Sequence, residues 1–227
     1  MFEKYLIVFL RFPEPGKVKM RLAQKLGNSI ATEFYKICTE NIFSICDKLN
    51  EHKVKTILFS SERKNVEKIR NWTKAQFQVE YQEGENLGHR MQKAFQDVLN
   101  NNLGKIIIIG TDILDISEEI ILKAFDTLDE FDIVLGPAKD GGYYLLGMNE
   151  KHSELFESIP WSSSETMKAT INSIEKLKLK YKLLETLGDI DTKENLTDWL
   201  ENNELGNSRN SFLYEKISYL LKQNDSE

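Results

Sequence analysis

The chain has 227 residues, 41% of them hydrophobic and 29% charged, a composition ordinary for a globular protein and long enough to bury its core without a disulfide or metal staple. Thirty lysines and arginines against thirty-six aspartates and glutamates leave a net charge of −6. That balance excludes a general nucleic-acid binder, whose surface must be basic, but still allows a local basic pocket for one phosphorylated small molecule. Twelve glycines and four prolines are too few for a fibrous, loop-rich or disordered chain, so one large domain or two small ones are expected.

In chain order, Tyr5–Leu10 is the longest apolar run. It is too short for a membrane span and reads as a buried strand that ends before Pro13 and Pro15. The opening Met-Phe-Glu-Lys lacks the cationic region of a signal peptide, which points to a cytoplasmic protein. Val18–Leu26 reads as a helix stopped at Gly27. A second helix follows over Ile30–Leu49, with Ile30, Phe34, Ile37, Ile42, Ile45 and Leu49 forming one apolar stripe. Cys38 and Cys46 lie in that helix about 12 Å apart. A disulfide needs Cα atoms within about 7 Å, so reduced, structural thiols are expected.

Val54–Phe59 and Phe77–Tyr81 read as strands, with Ser61–Trp72 and Leu87–Leu99 as helices and a turn at Asn100–Asn102. Ile106–Ile109 is β-branched throughout, as for a strand covered on both faces. Ser117 is placed to cap a helix reaching Leu128, without a full capping box because Ile120 stands where Glu or Gln is needed. Ile133–Leu135 and Tyr143–Leu146 are strands too close for a crossover helix, so an antiparallel insertion is expected. Ser164–Leu177 helix, Tyr181–Thr186 strand and Lys193–Leu200 helix complete the alternation. A polar stretch over Glu201–Ser211 and an amphipathic helix over Phe212–Leu221 follow. The pattern is α/β with a mixed, mainly parallel Rossmann-like sheet flanked by helices. Residues 1–200 are expected to form the main domain and 201–227 a helical tail.

Ligands of such sheets bind beyond the carboxyl ends of the strands, and chemistry-bearing residues fall there. After the first strand, Arg11, Lys17, Lys19 and Arg21 concentrate positive charge around Gly16 and a helix start, an arrangement suited to anions. Arg11 and Val18 rule out a Walker loop, and no GxGxxG follows the strand. Gly110-Thr-Asp112-Ile-Leu-Asp115 follows the β-branched strand, where a carboxylate can hold Mg²⁺ or Mn²⁺ together with substrate phosphates, or simply cap a turn. Asp140-Gly141-Gly142-Tyr143 is either a hairpin turn or a close-approach ligand loop. Asp191 either caps the following helix or binds a ligand. Ser162–Ser164 suit a helix cap and Trp161 suits packing. His52, His89 and His152 have no zinc spacing, and no Ser/His/Asp triad is visible.

The order of motifs is more specific than any one of them. Phe12-x-x-Pro-Gly-Lys-Val-Lys-x-Arg-Leu-Ala23, Gly84-x-x-Leu-Gly-x-Arg-Met91 and Ile-Ile-Gly-Thr-Asp112 come first. Leu-Gly-Pro-Ala-x-Asp-Gly-Gly-Tyr-Tyr-Leu-Leu-Gly147, Leu155-Phe with Trp161-Ser, and Asp-Ile-Asp-Thr192 follow. Over about residues 4 to 200 the chain resembles the radical-SAM/selenodomain-associated transferase family of the glycosyltransferase-A-like, nucleotide-diphospho-sugar transferase superfamily. It is also similar to small nucleotidyltransferases such as the phospholactate guanylyltransferases.

The resemblance implies a metal-dependent transferase with a nucleotide-sugar or nucleoside triphosphate donor and a small-molecule acceptor. It implies phosphate contacts from the loop that holds Arg11, Gly16, Lys17, Lys19 and Arg21, and nucleotide contacts from Leu87, Gly88 and Arg90. Asp112 and Asp191 correspond to ligands for Mg²⁺ or Mn²⁺, and Asp140, Gly141, Gly142 and Tyr143 to the acceptor side. Asp140 and Lys19 are the candidate catalytic residues. Met20 replaces a frequent Thr, Ile113-Leu114 replaces a small residue and Pro, and His89 stands where an acidic residue is common. Glycosyl transfer, nucleotidyl transfer, nucleotide binding without turnover and a hydrolase with Asp112 as nucleophile remain distinct readings, and a homodimer stays open.

Overall fold

The computed structural model describes residues 3–101, 104–204 and 210–224. Asn102, at the end of the expected turn, and 205–209, within the expected linker, lie outside them. The chain divides into two compact units, one of residues 1–12, 45–110 and 116–187, the other of 13–44, 111–115 and 188–227.

The first unit is built on a seven-stranded sheet. Its strands are β1 (Glu3–Leu10), β2 (Val54–Ser60), β3 (Gln78–Tyr81), β4 (Gly104–Ile109), β5 (Ile133–Pro137), β6 (Tyr143–Met148) and β7 (Tyr181–Leu183). They run in the order β3-β2-β1-β4-β6-β5-β7. The β1–β2, β1–β4, β2–β3 and β5–β7 pairs are parallel. β6 is antiparallel to both β4 and β5, the insertion that the short β5–β6 connection demanded. Ile106 to Ile109 are all buried, as are Tyr5 to Val8, which explains their unbroken apolar character. On one face Tyr5, Ile7, Ile106 and Ile108 pack with Met91, Ala94, Phe95 and Val98 of α3 (Leu87–Asn101) and Ile174 of α5 (Thr166–Lys176). Each such side chain, fully buried, contributes about 1.5–3 kcal/mol.

α4 (Glu118–Thr127) lies against β4, and the Ser117 hydroxyl accepts from the Ile120 amide at 3.4 Å, the predicted cap. The expected Ser61–Trp72 helix is narrower: Arg63–Asn65 forms a 3₁₀ turn before α2 (Val66–Trp72). α3 continues to Asn101, through two of the three residues expected to turn. α5 starts at Thr166. Ser163 acts just ahead of it, its hydroxyl accepting from the Glu165 amide at 3.2 Å.

The second unit is helical. α1 (Met20–Leu49), most of which lies in this unit, is continuous in hydrogen bonding but broken at Gly27, whose φ of 81° and ψ of 159° are not helical. The two expected helices are therefore its two arms. Leu22, Phe34, Ile37 and Cys38 share a core with Leu114, Ile190, and Leu196 and Trp199 of α6 (Lys193–Asn203). Leu213 and Ile217 of α7 (Ser211–Asn224) are part of the same core. Both cysteines are reduced and buried, and burial pushes each thiol pKa up to about 12.

Candidate functional site

The site begins with a turn that the sequence writes out. Pro15 and Gly16 occupy the corners of a β-turn closed by the Lys17 amide on the Glu14 carbonyl at 3.0 Å. Gly16 has φ +77°, the value that the second corner of a type II turn requires. Two residues later Lys19 is itself left-handed, with φ 47°. Its carbonyl accepts from the Ala23 amide at 2.8 Å, so it stands at the start of α1.

The Lys19 side chain is 2% exposed, and its ammonium reaches Asp112 Oδ1 at 2.9 Å and Asp191 Oδ1 at 3.1 Å. Burial by itself would lower the lysine pKa; the two carboxylates outweigh it and hold the group above its usual value. Both carboxylates remain accessible, Asp112 at 53% and Asp191 at 39%. Arg21, on the first turn of α1, is exposed and 3.8 Å from Asp191 Oδ2. Lys17 is ion-paired with Glu14 at 2.6 Å.

Each aspartate is held by its own segment. The Asp112 carbonyl accepts from the Ile190 amide at 3.4 Å, tying the two segments together. Thr111 donates to the Tyr35 hydroxyl at 3.1 Å within the buried interior. Ile113 and Leu114 are both buried, so this apolar pair anchors the loop. Asp115 is structural: its Oδ1 accepts from Trp199 Nε1 and Asn210 Nδ2, each at 2.8 Å. Asp191 does not cap α6. Thr192 does, accepting from the Asn195 amide, while the Asn195 side chain accepts from the Thr192 amide, a capping box. Its neighbour's cap leaves the Asp191 carboxylate to Lys19.

The remaining predicted residues belong to the first unit. Arg11 directly follows β1. Leu87 and Gly88 open α3; a Cβ on Gly88 would stand 2.2 Å from Trp161 Nε1, so the glycine admits the indole, which also stacks on Phe156. Arg90 Nε donates to the Gly84 carbonyl at 3.1 Å. In the β5–β6 turn, Asp140 Oδ1 accepts from the Gly142 amide at 2.8 Å. Gly141 has φ +89°, and a Cβ there would lie 2.3 Å from the Ser164 carbonyl oxygen. The Gly141 carbonyl accepts from the Met167 amide, which fastens the turn to α5. The Tyr143 hydroxyl is buried beside Thr170, and burial raises its pKa.

Two carboxylates meeting at one point suit a hard divalent cation, which takes carboxylate oxygens and completes its shell with phosphates and water. Among the described residues no group of three or more acidic, histidine or cysteine side chains is positioned to hold a metal by itself. A cation on Asp112 and Asp191 would need its other ligands from water or a bound phosphate. The family resemblance put Lys19 and Asp191 at one site, but their direct ion pair across 172 residues had no signal in the residue spacing; nor did the Asp115–Trp199 bond.

Sheet order and helix placement define a nucleotide-diphospho-sugar transferase-like fold. The chain belongs to the family described as "Uncharacterized protein conserved in bacteria (DUF2064)", whose signature spans residues 45–163, just over half its length. It is similar to a Desulfovibrio desulfuricans G20 protein named provisionally as a nucleotide-diphospho-sugar transferase, with 27% identity, TM-score 0.88, and 99% of each chain covered. The inositol-1-phosphate CTP transferase of T. maritima shares the fold at 18% identity and TM-score 0.53, covering 97% of each chain. Rv0371c of Mycobacterium tuberculosis, in complex with manganese, does so at 12% identity and TM-score 0.52, over 87% of this chain and 98% of that one. No curated protein matches the chain. Among the described residues no helix is long and apolar enough to cross a membrane.

Proposed function

We propose that this protein is a cytoplasmic, metal-dependent transferase of the radical-SAM/selenodomain-associated type, using a nucleotide-sugar or nucleoside triphosphate donor. One observation carries the reading: Lys19 gathers Asp112 and Asp191, from three distant segments, into one accessible carboxylate pair. Full-length similarity to the Desulfovibrio protein supports the transferase class. Asp112 and Asp191 would hold Mg²⁺ or Mn²⁺, and a protein of the same fold has been solved with manganese. When bound, the cation acts as a Lewis acid that neutralises charge on the departing phosphate.

The chain supplies positioning and electrostatics. Arg21 and Lys17 are the accessible cations of the loop and bind donor phosphates, with Arg11 and the Gly16 turn assigned to the same task. Leu87, Gly88 and Arg90 are assigned to the nucleotide, and Asp140, Gly141, Gly142 and Tyr143 to a small-molecule acceptor. Asp140 is the candidate base for the acceptor. The buried Ile113 and Leu114 weigh against a degenerate, non-catalytic module, because they serve packing and leave Asp112 accessible.

The test is calorimetry with a panel of nucleotides and nucleotide-sugars, with and without Mn²⁺. Binding that requires Mn²⁺ and disappears in Asp112→Asn is expected. If no donor binds in a metal-dependent way, the proposal fails. Product analysis then separates the two chemistries: pyrophosphate marks nucleotidyl transfer, and a nucleoside mono- or diphosphate marks glycosyl transfer.

A further inference from the structure

Lys19 stands in a loop assigned to phosphates, yet its ammonium is buried and both its ion pairs are internal. A side chain 2% exposed and held at 2.9 and 3.1 Å by two carboxylates is already spoken for. We propose that Lys19 is the resident counter-ion of the Asp112–Asp191 pair, and that a divalent cation enters by displacing its ammonium from the carboxylate oxygens. The inference rests on the metal reading above and specifies how that site is kept before loading.

Three features support displacement over simple addition. Lys19 takes an oxygen from each carboxylate, the atoms a hard cation would also take. Two neighbouring carboxylates without a cation repel each other, so a positive charge between them stabilises the pair before a metal arrives. The ammonium is a point charge on a flexible stem, able to leave the pair by rotation of its side chain while α1 stays in place. The carboxylates are reachable from solvent where the ammonium is not. A cation arriving from that side meets the carboxylates first. Once displaced, the ammonium becomes available to an incoming donor phosphate, so loading the metal and arming the phosphate loop are one event.

The experiment uses the full chain without nucleotide. Lys19 labelling by a small amine-acylating reagent is followed by peptide mass spectrometry across a Mn²⁺ titration. Protection without metal, and a labelling rate that rises with Mn²⁺ occupancy, are expected. Mn²⁺ occupancy is read independently, from the loss of the free-ion paramagnetic resonance signal. Mn²⁺ that binds through Asp112 while Lys19 stays protected overturns the displacement and leaves the metal reading standing. No Mn²⁺ binding, with or without donor, removes both.

A second arm measures Mn²⁺ affinity in Lys19→Met, with the fold checked by circular dichroism. Removing the competing ammonium tightens binding by roughly tenfold, the worth of one modest ion pair. The additional change Asp112→Asn abolishes that gain. Unchanged or weaker Mn²⁺ binding in folded Lys19→Met also overturns the proposal.

Discussion

Each unit of the chain contains a buried lysine, and the two illustrate different uses of the same side chain. In the first unit, Lys105 of β4 donates to the Phe125 carbonyl at 2.7 Å and pairs with Asp129 at the same distance. Both partners lie at the end of α4, where a cation satisfies the last carbonyls and the negative end of the helix dipole. In the second unit, Lys19 pairs with two carboxylates from separate segments, Asp112 and Asp191, 53% and 39% exposed. Burial of a charge therefore does not mark a site. Nor does an exposed partner, because Asp129 is itself 68% exposed; the difference is that Lys19 joins two carboxylates from separate segments.

The contrast can be broken most directly at the accessible carboxylates. Asp112→Asn should lower transferase turnover by about 10²–10³-fold, as when an electrostatic stabiliser of the transition state is lost. Its thermal midpoint should stay close to the wild type, because Asp112 is half-exposed. A midpoint drop as large as the activity loss would make Asp112 a structural residue like Asp129.

Lys105→Met reverses the pattern. Leaving the α4 carbonyl unpaired should cost about 2–3 kcal/mol in urea unfolding. Mn²⁺-dependent donor binding should be unchanged once the variant is folded; a selective loss of binding would erase the distinction between the two lysines.

Alkaline titration sharpens the comparison further. Lys19 has a raised pKa, so its stabilisation is fully present below the unfolded value of about 10.4 and is lost only as pH rises past it. The wild type and Lys19→Met should therefore differ by a constant amount between pH 6 and about 9. The buried thiols behave otherwise. Cys38 and Cys46 keep their protons up to about 12, while unfolded thiols release theirs near 8.5. Between those values stability should fall by about 1.4 kcal/mol per pH unit for each thiol. Denaturant melts of Cys38→Ala and Cys46→Ala should each remove one such increment from the slope.

The smallest expected effect tests why Asp191 is available to Lys19. Thr192→Ala removes the α6 cap and should cost about 1 kcal/mol in thermal or urea unfolding. Mn²⁺ binding should persist if Lys19 alone positions Asp191.

Much of this architecture was legible residue by residue. An apolar run marked β1 and a β-branched run marked β4, because both faces of those strands are covered. Gly27 marked the break in α1, and Ser117 the start of α4. The close spacing of β5 and β6 required an antiparallel pair. Other features misled or stayed silent. The polar run after β2 looked uniformly helical, yet it begins as a 3₁₀ turn. By position alone Asp112, Asp115, Asp140 and Asp191 looked alike, each an acid in a loop after a strand, and only the resemblance set Asp112 and Asp191 apart.

The sequence by itself determined the elements, their alternation and the cationic turn around Gly16, because these depend on neighbours a few residues apart. Tertiary structure decided what each acid does. One oxygen of Asp140 accepts from an amide two residues away, Asp115 accepts from Trp199 and Asn210, and Asp112 and Asp191 face one ammonium. Ion pairs fall off over a few ångströms, and only the folded chain brings residues 19, 112 and 191 within that reach.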